Sequence, residues 1–222
     1  MIARITALLA LLLLAAPGAQ AADIAALTAR IQKQYQSMSS FSADFSQRLQ
    51  NATSKETEIR TGKLVFAQPA LIRWETLAPE KELLVVGKDA VWNAFPEEKS
   101  AYRYSVEEVL GSKTMLRFLS GKARLSEDFH IQQEPEAPAG QVKLRLVPRE
   151  AEPGLVLAYA WVDERTNMLT RISIEDFYGN INDLTLANVT LNTKTSPEQF
   201  QYTPPAGYSI FDNEALQGKK PQ

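Results

Sequence analysis

Hydrophobic residues recur at three- and four-residue spacing from Ile24 through Leu27, Ile31, Tyr35 and Met38, the stripe of an amphipathic helix. Asp23 stands where an N-cap or first-turn acid belongs, and Ser39 and Ser40 follow as the end signal. The period then changes to two. Phe41, Ala43, Phe45, Gln47 and Leu49 alternate with Ser42, Asp44, Ser46 and Arg48, which predicts a half-buried strand. Further strands are predicted over 58–67, 71–77, 82–87 and 90–95, separated by turn residues around Pro69, Pro79, Gly87 and Pro96. None of these connections can hold a crossover helix, so the sheet is antiparallel.

A helical stretch over 105–120 interrupts the strands. Ser105 and Glu108 have capping-box spacing, Val109, Leu110, Met115, Leu116, Phe118 and Leu119 make an unusually apolar surface, and Gly121 is the C-cap. Gly111 is expected to split or bend this helix. Strands resume over 123–133, 141–148, 155–163, 168–176, 182–192 and 200–203, with a single helical turn begun by Ser196 and Pro197. The prediction is one sheet of about ten or eleven strands with an N-terminal helix and one helical insertion.

Residues 1–21 read as a leader: a basic start at Arg4, an apolar run from Ile5 to Ala16, then Ala19-Gln20-Ala21 as a small-x-small cleavage site. The run falls short of the roughly 20 apolar residues that span a bilayer. Cleavage after Ala21 is expected to leave 22–222 as a single periplasmic domain.

The chain has 24 basic and 26 acidic residues, one His and no Cys. That balance gives no electrostatic footprint for nucleic acid. Without Cys there is no thiolate metal site, disulfide or thiol nucleophile, and a lone His130 excludes multi-His metal sites. His130 lies in a run that reads as strand, which favours a structural role. No nucleophile elbow, phosphate-cradling loop or zinc-protease motif is present, so neither catalytic residues nor a cofactor or metal are predicted. Acidic pairs such as Glu107-Glu108 and Glu175-Asp176 read as caps and turns, because adjacent strand positions face opposite ways. What remains is apolar. The strand and insertion residues form either one filled core or a curved sheet whose apolar lid encloses a cavity; more than about eight strands leave room for one.

Several motifs in order resemble the LolA family of periplasmic outer-membrane lipoprotein carriers. Ser40-Phe41-Ser-Ala-Asp-Phe45-Ser-Gln47 is similar to the family's F-x-A-x-F-x-Q segment. Gly62-Lys-Leu-Val-Phe-Ala-Gln-Pro69, followed by Arg73-Trp74-Glu75 and Pro79, resembles its G-x-L-x-x-x-x-P…W…P run. Leu84 to Trp92 with Pro96 matches the next hairpin, and Phe200 to Gly207 resembles the F-x-F-x-P-P-x-G finish. The resemblance implies an incomplete, half-open β-barrel whose mouth is covered by helices. It implies a non-enzymatic carrier that takes acylated lipoproteins from an ATP-driven releasing complex in the inner membrane. Delivery is to an outer-membrane receptor of the LolB type, and a carrier docking on two partners in turn is expected to be a monomer.

Carried over by position, Ile72 and Trp74 match cavity-wall positions and share one sheet face. Phe41, Phe45, Phe66, Leu84, Val86 and Trp92 are expected to complete the wall, with Met115, Leu116, Phe118 and Leu119 as lid. Many members have an Arg before the Pro of the G-x-L…P run, which latches the lid. Here Gln68 stands there, a neutral amide with fewer donors, and Arg73 is the candidate substitute. Two other readings keep the same fold: a carrier of other lipids or glycolipids, and a regulator of the RseB type.

Overall fold

Alternation of buried and exposed positions, read along the computed structural model, resolves into one sheet of twelve strands. Residues 17–111 and 115–213 are described. Helix α1 (Pro17–Ser37) leads into β1 (Ser40–Gln50), β2 (Thr57–Ala67), β3 (Leu71–Ala78), β4 (Glu82–Val86), β5 (Val91–Phe95) and β6 (Ser100–Tyr104). Three short helices follow, α2 (Val106–Gly111), α3 (Met115–Leu119) and α4 (Leu125–Asp128). Then come β7 (Phe129–Glu134), β8 (Gln141–Pro148), β9 (Leu157–Asp163), β10 (Leu169–Glu175), β11 (Ile181–Leu191), a 3-10 turn (Pro197–Phe200) and β12 (Ser209–Asp212).

The spatial order is β12-β6-β5-β4-β3-β2-β1-β11-β10-β9-β8-β7. All neighbours are antiparallel except β12, which runs parallel to β6. Strands β7 and β12 are left as two edges that do not meet, so the sheet stays open. A single row shows how the concave face is built: Phe41, Phe66, Ile72, Val86 and Val91 stand opposite one another on five adjacent strands and are all fully buried. The side chains that cover them come from α1 (Leu27, Ile31, Tyr35), Met38 just beyond it, α3 and Leu125 of α4, all in one apolar cluster with the strands.

Several elements differ from the sequence reading. The described residues form twelve strands rather than ten or eleven, β6 and β12 being additional. Residues 200–203 are not a strand; Phe200 ends the 3-10 turn and is buried against the sheet without pairing. The predicted strand 123–133 starts at Phe129, because Asp128 accepts the Arg124 N–H and closes the turn α4 first. Helix α1 begins at Pro17, so Asp23 lies inside it rather than at its cap. Most of the proposed leader, residues 1–16, lies outside the described residues, and Pro17–Ala21 is helical.

Candidate functional site

Of the eight residues expected to form a wall, seven lie on the concave face. Phe41, Phe45, Phe66, Ile72, Trp74 and Val86 are buried on it, and Leu84 is half-buried at its border. Phe41 stacks on Phe66 at 5.4 Å, and Phe45 lies 4.9 Å from Trp74. Gly62 makes the second contact possible. A Cβ there would stand 2.0 Å from the Glu75 carbonyl oxygen and 2.8 Å from Phe45 Cε1. Trp92 does not belong to this wall. It pairs with Val85, which pairs with Arg73, and this row faces outward. On that side Trp92 packs at 6.0 Å from Tyr202, in the chain segment that runs over the back of the sheet.

Over the wall, α3 inserts Met115, Leu116, Phe118 and Leu119, all buried. Phe118 lies 5.5 Å from Phe129. Within the predicted helix 105–120 the described residues form α2 (Val106–Gly111) and α3 (Met115–Leu119). Α2 ends on Gly111, and residues 112–114 lie outside the described residues. Its start is as read, with the Glu108 N–H donating to Ser105 Oγ at 3.1 Å. Gly121 (φ +67°) closes α3 in a Schellman arrangement: the Gly121 N–H reaches the Phe118 carbonyl at 3.1 Å and the Lys122 N–H reaches that of Arg117 at 3.0 Å.

Polar bonds tie α3 to its neighbours. Arg117 Nη2 donates to Asp128 Oδ2 at 2.8 Å, in an ion pair whose side chains are only 16% and 10% exposed. Gln32 Nε2 of α1 donates to the Gly121 carbonyl at 3.2 Å. Gln68 Nε2 donates to the Tyr35 carbonyl in the last turn of α1 at 2.6 Å, while its backbone N–H reaches the Ser39 carbonyl. Gln68 therefore grips α1, and α1 in turn grips the end of α3 through Gln32. Tyr35 is fully buried between them, and burial pushes its hydroxyl pKa above the usual phenol range. Arg73 is no substitute latch. It points to the outer face, 3.5 Å from the Gln199 carbonyl and 3.8 Å from Glu75.

Gln32, Arg117 and Asp128 were missed in the sequence reading. The signal for Arg117 was its place as the only charge between Met115 and Leu119, since a charge in an apolar run needs a partner when it is buried. His130 is exposed on β7, with Arg149 Nη1 3.4 Å from Nδ1. Among the described residues no group of three or more His, Asp or Glu side chains is placed to hold a metal ion.

Two spaces adjoin α3 over the concave face. A cavity of about 170 Å³ lies between Trp74, Leu84, Met115 and Leu116 on one side and Gln47, Arg60, Thr76 and Glu82 on the other. That is the size of a hole that takes a single benzene ring. A larger cleft of about 510 Å³ adjoins Met115, over Leu49, Ile174 and Ile181.

Comparison with known proteins gives this arrangement a context. The sequence model described as "Outer membrane lipoprotein carrier protein LolA" matches residues 36–203. An outer-membrane lipoprotein carrier protein of Methylococcus capsulatus is 24% identical over 172 residues, covering 78% of this chain and 81% of its own. One of Hahella chejuensis is 25% identical over 195 residues, covering 87% and 90%. Among solved structures, an uncharacterized conserved protein of Thermus thermophilus superposes with a TM-score of 0.57 at 15% identity, covering 86% of this chain and 99% of that one, a likeness of fold.

Proposed function

The chain belongs to the LolA family of outer-membrane lipoprotein carrier proteins, and from that premise we propose that it carries acylated lipoproteins across the periplasm, their acyl chains against the concave wall. The observation that supports this reading most is the lid. Four apolar side chains of one short helix are buried against the concave face, held by a few polar bonds that can be exchanged. An acyl chain offers the same wall the same kind of contact, so it can take the place of α3 without exposing the wall to water.

The energetics suit a carrier. Three acyl chains of roughly fifteen CH₂ groups each, at about 0.8 kcal/mol per CH₂, give on the order of 30 kcal/mol against escape through water. A carrier has to match most of that and still let go. It performs no bond chemistry; its work is exchange of one apolar surface for another. The chain is proposed to act as a monomer after removal of residues 1–21. It would receive its cargo from an ATP-driven complex of the inner membrane and yield it to an outer-membrane receptor of the LolB type.

The test is native mass spectrometry of the protein secreted together with a triacylated lipoprotein of its host, combined with photo-crosslinkers at Leu84, Leu116 and Trp92. A 1:1 complex, crosslinked from 84 and 116 but not from outward-facing 92, is the expected result. Free lipid or glycolipid bound in place of lipoprotein would favour the lipid-carrier reading, and no bound mass at all would refute both.

A further inference from the structure

The apolar wall ends in a row of hydrogen-bonding side chains. At one end of five neighbouring strands the inward-facing positions are Asn182 of β11, Gln47 of β1, Arg60 of β2, Thr76 of β3 and Glu82 of β4. Two residues further along each strand the same face carries Leu184, Phe45, Gly62, Trp74 and Leu84. The belt is bonded within itself. Gln47 Nε2 donates to Asn182 Oδ1 at 2.9 Å, and Arg60 donates from Nη1 to Glu82 Oε2 at 2.8 Å and from Nε to Glu58 Oε1 at 2.7 Å. Gln47 and Thr76 are 8% and 3% exposed, so these are polar groups taken out of water beneath Met115 and Leu116.

Burying polar side chains costs free energy, and a lining that only had to hold hydrocarbon would not need them. Their placement is specific. They share the 170 Å³ cavity with Trp74 and Leu84, and Met115 joins that cavity to the open cleft over Leu49 and Ile174. A ligand lying from the wall to the cleft crosses this belt where its apolar part ends.

We infer that the belt seats the polar junction of an acylated ligand, with the Arg60 guanidinium and the Gln47 carboxamide donating to the ester carbonyls that join acyl chains to the rest of the molecule. The inference rests on the carrier reading above and adds which part of the ligand is recognised. Ester carbonyls are acceptors only, and the belt offers matching donors. A guanidinium has five N–H groups, and the remaining Arg60 contact, Nη2 to Glu58, is long at 3.5 Å. Glu58 and Glu82 hold the fork in place. Although burial works against the charge of Arg60, the Glu58 hydrogen bond and the nearby carboxylates outweigh it and raise the guanidinium pKa. The same carboxylates decide the ligand's charge. They neutralise Arg60 and would repel a phosphate, whereas a neutral carbonyl can bind beside them.

The test uses the purified protein, a triacylated lipopeptide and an analogue with ether links in place of its two esters, titrated by tryptophan fluorescence. The ester form is expected to bind about tenfold more tightly, the loss of one charge-assisted hydrogen bond. Arg60→Met and Gln47→Leu should abolish that preference while leaving affinity for the ether form, and Arg60→Lys should keep part of it. Equal binding of the two lipopeptides by the unaltered protein overturns the inference without any variant, as does a preference that survives in both Arg60→Met and Gln47→Leu. Failure to bind either lipopeptide withdraws the carrier reading, and this inference with it.

Discussion

Leu119→Ala tests whether the lid opens as a unit separate from the sheet. Burial of Met115, Leu116, Phe118 and Leu119 contributes about 6–12 kcal/mol at roughly 1.5–3 kcal/mol each. Ordering the five residues of α3 costs about 5–10 kcal/mol at roughly 1–2 each. Lid closure is thus a balance of a few kcal/mol. Leu119 is fully buried, and truncating such a leucine costs about 2–5 kcal/mol, as much as closure itself supplies. The variant should therefore lose closure, not fold. Hydrogen exchange across 105–122 should speed up by about 30-fold or more, from 2 kcal/mol upward, while β8–β10 amides exchange nearly as before. Apparent affinity for a triacylated lipopeptide should rise, because less of the protein is closed against it. Equal acceleration in lid and sheet would show that α3 is part of one cooperative core, and unchanged lid exchange would refute the estimate of a marginal closure.

Three further outcomes are expected. Gln68→Arg places a charge at the carboxyl end of α1, worth about 0.3–1 kcal/mol, and should slow lipopeptide entry and release by about two- to fivefold in stopped-flow traces; unchanged kinetics would remove position 68 from the latch. Gly62→Ala forces a Cβ against the Glu75 carbonyl and Phe45; an overpacking cost of about 1–3 kcal/mol should lower Tm by roughly 2–12 °C in calorimetry. Asp163 accepts both the Thr166 hydroxyl and its N–H, at 2.8 and 2.7 Å, and these bonds hold its carboxyl pKa below the usual range. A depressed pKa stabilises the fold above the unfolded value of about 3.9 and is lost as pH falls through the folded one. Asp163→Asn should flatten that part of the acid denaturation curve, and an identical acid limb would contradict the assignment.

How far the sequence could be read depended on how one-sided each element is. Strands β1 to β3 are apolar on one face and polar on the other, so period-two alternation announced the strands, while the family resemblance supplied the inward set Phe41, Phe45, Phe66, Ile72 and Trp74. Strand β5 failed that logic. It carries buried Val91 and Ala94 on opposite faces, and adjacent Val85 and Val86 of β4 are both buried, because the 197–203 segment covers the back of the sheet. Only register decides which way Trp92 points. Strand β6 is short, and β12 reaches it from more than a hundred residues away in a parallel pairing that no local signal announces. Position 68 could be singled out from sequence, but its geometry could not. Its partner is a backbone carbonyl of α1, and the further link to the lid runs through Gln32, one polar residue among several on that helix. The polar belt was hidden because Gln47 and Thr76 look like ordinary strand residues until neighbouring strands align them.

The pairing of β1 with β11 has a consequence for how the molecule is made. Every other antiparallel contact joins strands consecutive in the chain, so each half of the sheet can form as a run of hairpins. The seam cannot. Phe41 waits for Leu191 and Phe45 for Leu186, which is most of the chain's length apart, and loops of that size close slowly. A chain that emerges amino end first therefore presents the edge of β1, with its phenylalanines, to the surroundings until β11 arrives. That interval is when the protein would depend most on a folding helper, and mutations at the seam should show their first effect there, as lost yield rather than lowered melting temperature.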